Sequence, residues 1–186
     1  MRGLSPIAHF VFVIRDDPRA VDLGGGQLKD NDRRRSEVLE QAQHTLSTET
    51  RGPGFIDLTR QVVAWLGAIG ASDGLLTLFV RHTSASLTIQ ENADPDVLRD
   101  LGETLERLAP RAARYHHSIE GPDDMPAHIK AMLTATSLGV PVAGGKAVLG
   151  TWQAIYLVEH RDAPHTREVV LHYVGTRQGL ADLSRA

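Results

Sequence analysis

Residues 75–108, LLTLFVRHTSASLTIQENADPDVLRDLGETLERL, contain the transitions that decide the fold. The run Leu75–Val80 is apolar except for Thr77 and favours a buried strand, whereas Ser86–Gln90 alternates as a strand with one buried face does. A helix follows, with Asp94 as its N-cap and Pro95 at its first position. A stretch that passes from strand to helix in this way indicates a domain that mixes both elements.

The other segments extend this pattern. Further strands are predicted over residues 38–48, 138–142, 146–149, 152–158 and 168–174, with Trp152 in the core. One helix would be capped by Thr59 and would end at Ser72-Asp73-Gly74, and a shorter helix would run from Pro126 to Thr134. The apolar faces of the first two helices would be Val62, Val63, Leu66, Ile69 and Val97, Leu98, Leu101, Leu105, Leu108. We therefore predict an α+β fold with mostly antiparallel sheet layers and two to three helices.

Composition narrows the classes of function. The 186 residues are 41% hydrophobic and carry a net charge of -3, so we expect one core and no nucleic-acid partner. Cysteine is absent, which leaves imidazole and carboxylate as metal ligands. The longest apolar run, Ile7–Ile14, is far shorter than the roughly 20 residues that span a bilayer and has no signal-peptide cleavage site. We expect a cytoplasmic location and no membrane partner.

Residues 1–36 differ from the rest of the chain. They contain Gly24-Gly25-Gly26 and the charged run 29–35, without sustained periodicity. Such composition is typical of a flexible extension, with room for one short strand between Phe10 and Ile14.

The first cluster of polar side chains lies between the two strands of the opening stretch and the helix after them. His82 stands at the end of a strand, and Glu91 and Asn92 would supply ligand and orienting groups beside it. Without such neighbours, a histidine at this position is more often structural. The hydroxyls of Thr83, Ser84 and Ser86 suit a phosphate, but ordinary edge-strand polarity explains them equally well.

A second cluster is built around His117 and His128, which bracket the acidic turn Asp123-Asp124. Their spacing matches no local helical ligand pair, but a loop could fold them together with His82. Three imidazoles and an open position are a pattern of catalytic zinc sites. Asp123 or Asp124 would otherwise serve only as the cap of the following helix. Both clusters are expected to form one shared site.

Three motifs in order, HTSASLTIQENADPDV, YHHSIEGPDDMPAHIKA and LGTWQAIYLVEHR, resemble the YjbQ family of small bacterial and archaeal proteins. The resemblance covers residues 37–175 and leaves 176–186 as a C-terminal tail. It implies a compact α+β domain that assembles as a homotrimer. It also implies a thiamine-phosphate synthase-type transferase, which joins a hydroxymethylpyrimidine diphosphate to a thiazole phosphate.

The resemblance assigns roles to particular side chains. The metal, a divalent ion such as Zn or Mg, would be held by His82, His117 and His128. Catalytic roles would belong to Glu91, Asn92, Asp124, Gln153 and Glu159. For the reaction that the resemblance implies, we also expect substrate phosphates to be bound near Thr83, Ser84, Ser86 and Arg167.

Two other functions fit the same residues. Histidine and carboxylate around an open metal position would also suit a metal-dependent hydrolase of a small phosphorylated or acyl substrate. Alternatively, a non-catalytic trimer would bind a metabolite without turnover. In every case the expected partners are a small phosphorylated metabolite and further copies of the chain.

Overall fold

Two antiparallel sheets and three helices make up the part of the chain that the computed structural model describes, residues 10–11 and 38–178. The strands are β1 Phe10–Val11, β2 Glu40–Glu49, β3 Gly54–Asp57, β4 Ala71–Val80, β5 Ala85–Glu91, β6 Ser137–Ala143, β7 Lys146–Ala147, β8 Gln153–Glu159 and β9 Thr166–Arg177. The helices are α1 Thr59–Ala68, α2 Pro95–Leu108 and α3 Asp124–Leu133. The predicted α+β class is confirmed.

The larger sheet has the strand order β1-β2-β9-β4-β6-β7, and the smaller sheet has the order β3-β8-β5. Strand alternation sets one face of the larger sheet against the core: Leu76, Leu78 and Val80 of β4 are buried, whereas Leu75 and Phe79 are exposed. The core that lies between the sheets consists mainly of aliphatic side chains from β4, β5, β8, β9 and α1. Burial of this common core is what joins the two sheets into one domain.

The smaller sheet is covered on its second face by α2 and α3. Every residue of β8 after Gln153 is buried, which an alternating strand shows only when both of its faces are covered. The order of layers is therefore the larger sheet, the smaller sheet and then the pair α2 and α3. This arrangement brings the start of α3 close to the residues that precede β5.

Helix α1 differs from the prediction in two details. Thr59 does not cap it, because the Thr59 Oγ1 accepts a hydrogen bond from the backbone N–H of Ile155 at 3.0 Å. Leu58 is the N-cap residue. Val63 is 49% exposed, and Trp65, which was not predicted on the apolar face, is buried in the core. The hydroxyl of Thr59 thus ties the helix to β8.

Other local predictions need correction. The segment Ser72-Asp73-Gly74 lies inside β4, at a shift in its register with β9, and does not separate two elements. Trp152 is 63% exposed, because β8 begins one residue after it. The strand β3 was not predicted.

The capping of α2 is confirmed, since Asp94 Oδ1 accepts a hydrogen bond from the backbone N–H of Asp96 at 2.9 Å. Its predicted core face is only half-buried: within the described residues α2 buries no side chain fully, and Leu108 is exposed. In α3, Asp123 is the N-cap residue, but its carboxylate binds Arg161 and not the helix.

The predicted extension lies outside the described residues except for Phe10–Val11, which pair with β2, and the chain from residue 179 onward lies outside them as well. Among the described helices, none combines the length and the hydropathy needed to cross a membrane.

Candidate metal centre

Three side chains that can bind a metal come together at the start of α3. His117, Asp124 and His128 each offer one ligand atom, and these atoms lie within 4.8 Å of one another. Asp124 Oδ2 lies 2.6 Å from His117 Nε2 and 3.4 Å from His128 Nε2. The side chain of Asp124 is only 2% exposed, whereas those of both histidines reach solvent. A buried carboxylate therefore faces two imidazoles at the protein surface.

Helix geometry accounts for two of the three ligands. Asp124 is the first residue of α3, and His128 follows four residues later, on the same face of the helix. His117 comes from the segment between α2 and α3, which places its ring 5.6 Å from that of His128, centroid to centroid. The cluster thus depends on one helical turn and one loop.

A backbone carbonyl fixes the orientation of His128. Its Nδ1 lies 3.1 Å from the carbonyl oxygen of Thr83. Because a carbonyl oxygen can only accept a hydrogen bond, Nδ1 carries the proton. In the neutral ring, Nε2 then presents its lone pair toward Asp124 Oδ2. Histidine ligands in metal sites are commonly oriented in this way.

Arg161 binds the carboxylate of Asp124 through Oδ1, the oxygen that does not face the histidines. It forms an ion pair with Asp124 Oδ1 and donates hydrogen bonds to Asp123 Oδ2 and to the carbonyl oxygen of Glu120, both at 2.9 Å. Burial alone would raise the pKa of Asp123, but hydrogen bonds from the backbone N–H of Asp162 and from Arg161 hold it below its usual value. Arg161 was missed by the sequence analysis, because nothing local indicates that its partners lie almost forty residues earlier.

His82 lies outside this cluster. Its Nε2 accepts a hydrogen bond from the backbone N–H of Glu168 at 2.9 Å. Burial, and next the positive charge of Arg167, hold the pKa of His82 below its ordinary value. The third side chain beside His117 and His128 is that of Asp124. His82, two residues after β4, is hydrogen-bonded to β9 instead.

Glu159 and Arg167 form a separate, buried ion pair between the sheets. Glu159 accepts hydrogen bonds from Arg167 Nε and Nη2, from Thr50 Oγ1, and from the backbone N–H groups of His160 and Arg161. Burial would raise the pKa of Glu159, but these donors outweigh it and keep the pKa below its usual value. Arg167 also donates to Ser84 Oγ at 3.2 Å. These contacts use both carboxylate oxygens and leave Arg167 only 3% exposed.

The remaining predicted site residues lie elsewhere. Ser86 is fully buried, and its Oγ is 2.8 Å from Nε2 of His160. Glu91, Asn92 and Gln153 lie at the end of β5 and β8 where Glu91 pairs with Gln153. The opposite end, where Ala85 pairs with Glu159, is about 20 Å away at 3.4 Å per residue.

Of the first predicted cluster of polar residues, only a part lies near the second cluster around His117 and His128. Thr83 contacts His128 through its backbone carbonyl, and Thr83 itself is exposed. Gln153 Oε1 accepts a hydrogen bond from the backbone N–H of Gly150 at 2.8 Å, which closes the turn before β8. Asn92 donates its backbone N–H to the carbonyl oxygen of Trp152 at 2.9 Å. Within one chain, Gln153 and Asn92 do not reach the histidines.

Comparison with known proteins places the domain in a family. The model of the family described as UPF0047 protein YjbQ-like matches residues 42–176. The chain belongs to the YjbQ family. A UPF0047 protein of Synechocystis sp. is 50% identical over 139 residues, which are 74% of this chain and 95% of that relative. The YjbQ protein of Escherichia coli O157:H7 is 41% identical, over 69% of this chain and 94% of its own length.

A solved YjbQ-family structure confirms the fold. The crystal structure of an uncharacterized conserved protein of the YjbQ/UPF0047 family from Clostridium acetobutylicum is 41% identical and superposes with a TM-score of 0.62. The alignment covers 69% of this chain and 96% of that one.

The prediction of a thiamine-phosphate synthase-type transferase is wrong as an inference from the YjbQ family. The description of the family and the names of these relatives state no such activity. The structure adds a physical objection, because Arg167, expected to bind substrate phosphates, is buried and bound to Glu159. The cluster of His117, Asp124 and His128 is the feature of the described residues that points to a function.

The donor set of this centre restricts its chemistry. Two imidazole nitrogens and one carboxylate oxygen on one side of an ion are a common set for zinc and for other transition metals, and they leave further coordination positions open. A zinc ion bound in this way lowers the pKa of a coordinated water to about 7.

Proposed function

We propose that this YjbQ-family chain is a divalent metal-binding protein whose ion is held by His117, Asp124 and His128. The ligand atoms are Nε2 of each histidine and Oδ2 of the aspartate. The observation that carries the proposal is the hydrogen bond from His128 Nδ1 to the Thr83 carbonyl, which turns Nε2 toward Asp124. Such a contact leaves Nε2, and not Nδ1, as the ring nitrogen that can bind an ion.

The donors favour zinc or another transition metal over magnesium. Magnesium prefers six oxygen ligands and binds imidazole poorly, whereas two imidazoles and a carboxylate suit zinc. The anchoring of Asp124 Oδ1 by Arg161 leaves a single oxygen, Oδ2, to face the histidines. The carboxylate would therefore bind the ion through one atom.

An open coordination position favours an oxygen ligand from outside the chain. Asp123, Asp124 and exposed Glu120 supply three negative charges, which Arg161 and a divalent ion would balance. The open position of the ion would bind an oxygen of a phosphate or carboxylate group on a small molecule. His117 is the most exposed of the three ligands and marks the side from which such a molecule would approach.

Calorimetric titration of zinc into the full chain, after treatment with a chelator, tests the proposal. We expect one ion to bind per chain. The variants Asp124→Asn and His128→Gln should bind it on the order of 100-fold more weakly, because each removes a ligand atom. His116→Gln is the matched control, since it replaces the exposed neighbour of His117, which lies outside the cluster.

Failure would be clear in two ways. The proposal is wrong if the wild-type chain shows no saturable uptake of zinc. It is equally wrong if Asp124→Asn binds zinc as tightly as the wild type while His116→Gln does the same.

A further inference from the structure

A cavity of about 370 Å³ lies between α2, β3, α3 and the end of β8. Its walls are largely apolar, from Phe55, Leu98, Leu105 and Val158. Polar groups are gathered at Glu106, Lys130 and His160. Small-molecule sites commonly combine apolar walls with a few converging polar groups.

The ammonium group of Lys130 is the decisive feature of this cavity. The side chain of Lys130 is 3% exposed, and a buried ammonium requires a partner of opposite charge. That partner is Glu106, whose own side chain is 41% exposed and lies 3.5 Å from Arg111 Nη2. If an anionic ligand displaced Glu106, the Glu106 carboxylate could turn outward and remain beside Arg111. Lys130 would then need the anion of the ligand as its partner.

The other charges that line the cavity are already matched. The carboxylate of Glu159 is bound by Arg167 between the sheets, and Arg99, which also lines the cavity, forms an exposed ion pair with Asp96. His160 is 2% exposed and contacts Ser86, and its burial, followed by the charge of Lys130, lowers its pKa to about 4. It is therefore neutral at physiological pH. Lys130 is left as the cation that an anionic ligand would engage.

We propose that this cavity binds a small amphipathic anion, with its apolar body between Phe55, Leu98 and Leu105 and its anionic oxygens on Lys130. The anionic group would replace Glu106 as the partner of the ammonium. Both carboxylates and phosphate esters have this chemistry. The site does not depend on the metal centre, because Lys130 lies two residues from His128 and so about 200° around α3.

Binding of octanoate to the chelator-treated full chain tests the proposal by calorimetry. Octyl phosphate serves as the second anionic probe, octanol as the uncharged probe of the same chain length, and acetate as the head group alone. We expect octanoate or octyl phosphate to bind at least about tenfold more tightly than octanol or acetate, because only they satisfy both the walls and the ammonium. The tighter of the two anions identifies the class of head group.

Two variants locate the binding. Lys130→Met keeps the length of the side chain and removes its charge, and it should weaken binding of the anion about tenfold or more. Gly102→Leu should block the cavity without touching Lys130, since a Cβ on Gly102 would meet only Phe55 Cε2, at 3.8 Å. Gly67→Leu is the control, because it places the same side chain on α1 in open space.

Each result decides the question. Equal affinity for octanol and the two anions would overturn the role of Lys130, and absence of saturable binding by either anion would overturn the site. If Lys130→Met fails to fold, the test rests on Gly102→Leu. If Gly102→Leu and the control Gly67→Leu both bind the anion as tightly as the wild type, the anion binds outside this cavity and the proposal is wrong.

Discussion

His160 shows how strongly a single buried residue can respond to pH. Its ring is almost fully buried, beside the hydroxyl of Ser86 and near the positive charge of Lys130. Both burial and that charge disfavour a protonated imidazole, and together they lower the pKa of His160 from 6.5 to about 4. In the unfolded chain the same histidine would titrate near its ordinary value.

The stability of the domain should therefore fall in mild acid. Because the unfolded chain takes up a proton near pH 6.5 and the folded chain only near pH 4, acid favours unfolding between these values. For His160 alone, the free energy of unfolding should decrease by about 2 kcal/mol from pH 7 to pH 5. His82, whose pKa is also lowered, adds to the same trend. Urea unfolding at the two pH values measures the total.

The variant His160→Gln isolates the contribution of this residue. Glutamine can still form a hydrogen bond with Ser86 but does not titrate, so the decrease from pH 7 to pH 5 should be smaller by about 2 kcal/mol than in the wild type. Chelator in both samples removes any contribution of a metal bound to His117 and His128. The same decrease in both proteins would show that His160 is not protonated on unfolding.

At the residue scale, the sequence predicted chemical types better than partners. It singled out His117 and His128, which the structure does bring together. It weighed Asp124 as a helix cap because the helix was predicted to start at Pro126. The spacing of Asp124 and His128, four residues apart on one helix, was the signal that could have joined them. Nothing of this kind links Arg161 to Asp124, because their contact exists only after α3 has packed on the smaller sheet.

At the scale of elements, β4 and β9 approach each other unusually closely where the register shifts. Gly74 pairs with Gly175 at this point. A Cβ on Gly175 would lie 2.3 Å from the carbonyl oxygen of Asp73 and 2.5 Å from the hydroxyl of Tyr173. The hydroxyl of Tyr173 in turn donates a hydrogen bond to the carbonyl oxygen of Thr176 at 2.7 Å. Glycine is required at this crossing because there is no space for a side chain.

Gly175→Ala should consequently destabilise the domain. The added methyl group must push β4 and the Tyr173 ring apart, and overpacking of this kind costs about 1–3 kcal/mol. Gly139→Ala in β6 is the control, since its Cβ would have only Leu75 Cδ1 near it, at 3.7 Å. Urea unfolding of the two variants measures the difference. Equal stabilities would show that the two strands separate without strain.

The sequence predicted those elements that carry a long periodic pattern or a strong cap, such as α2 with Asp94 and Pro95. It missed β3 because a strand of four residues after Gly52-Pro53 has too few positions to show alternation. The pairing partner of β3 is β8, about one hundred residues later, so its existence depends on tertiary contacts. The Ser72-Asp73-Gly74 segment was predicted as a turn because its composition is typical of a loop. It forms part of β4 because it lies beside β9, and this pairing cannot be read from local sequence.

At the scale of the whole molecule, the outer face of the larger sheet carries exposed apolar side chains. Leu75 and Phe79 of β4 are 49% and 48% exposed, and Val174 of β9 is 40% exposed. The register pairs Leu75 with Val174 and Phe79 with Val170, and Thr77 pairs with His172 between them, so these side chains form a row that is apolar at both ends. Exposed apolar groups that cluster on one face are typical of an interaction surface.

The homotrimer implied by the family resemblance remains a prediction, and we predict that this row lies in its interface. Phe79→Glu would place a charge at one apolar end of the row, where burial against another copy would leave it unpaired. Sedimentation analysis should then show a trimer for the wild type and a monomer for Phe79→Glu. Val63→Glu, at an equally exposed apolar position on α1, should remain trimeric. A trimeric Phe79→Glu protein would place the interface elsewhere, and a monomeric wild type would contradict the trimer itself.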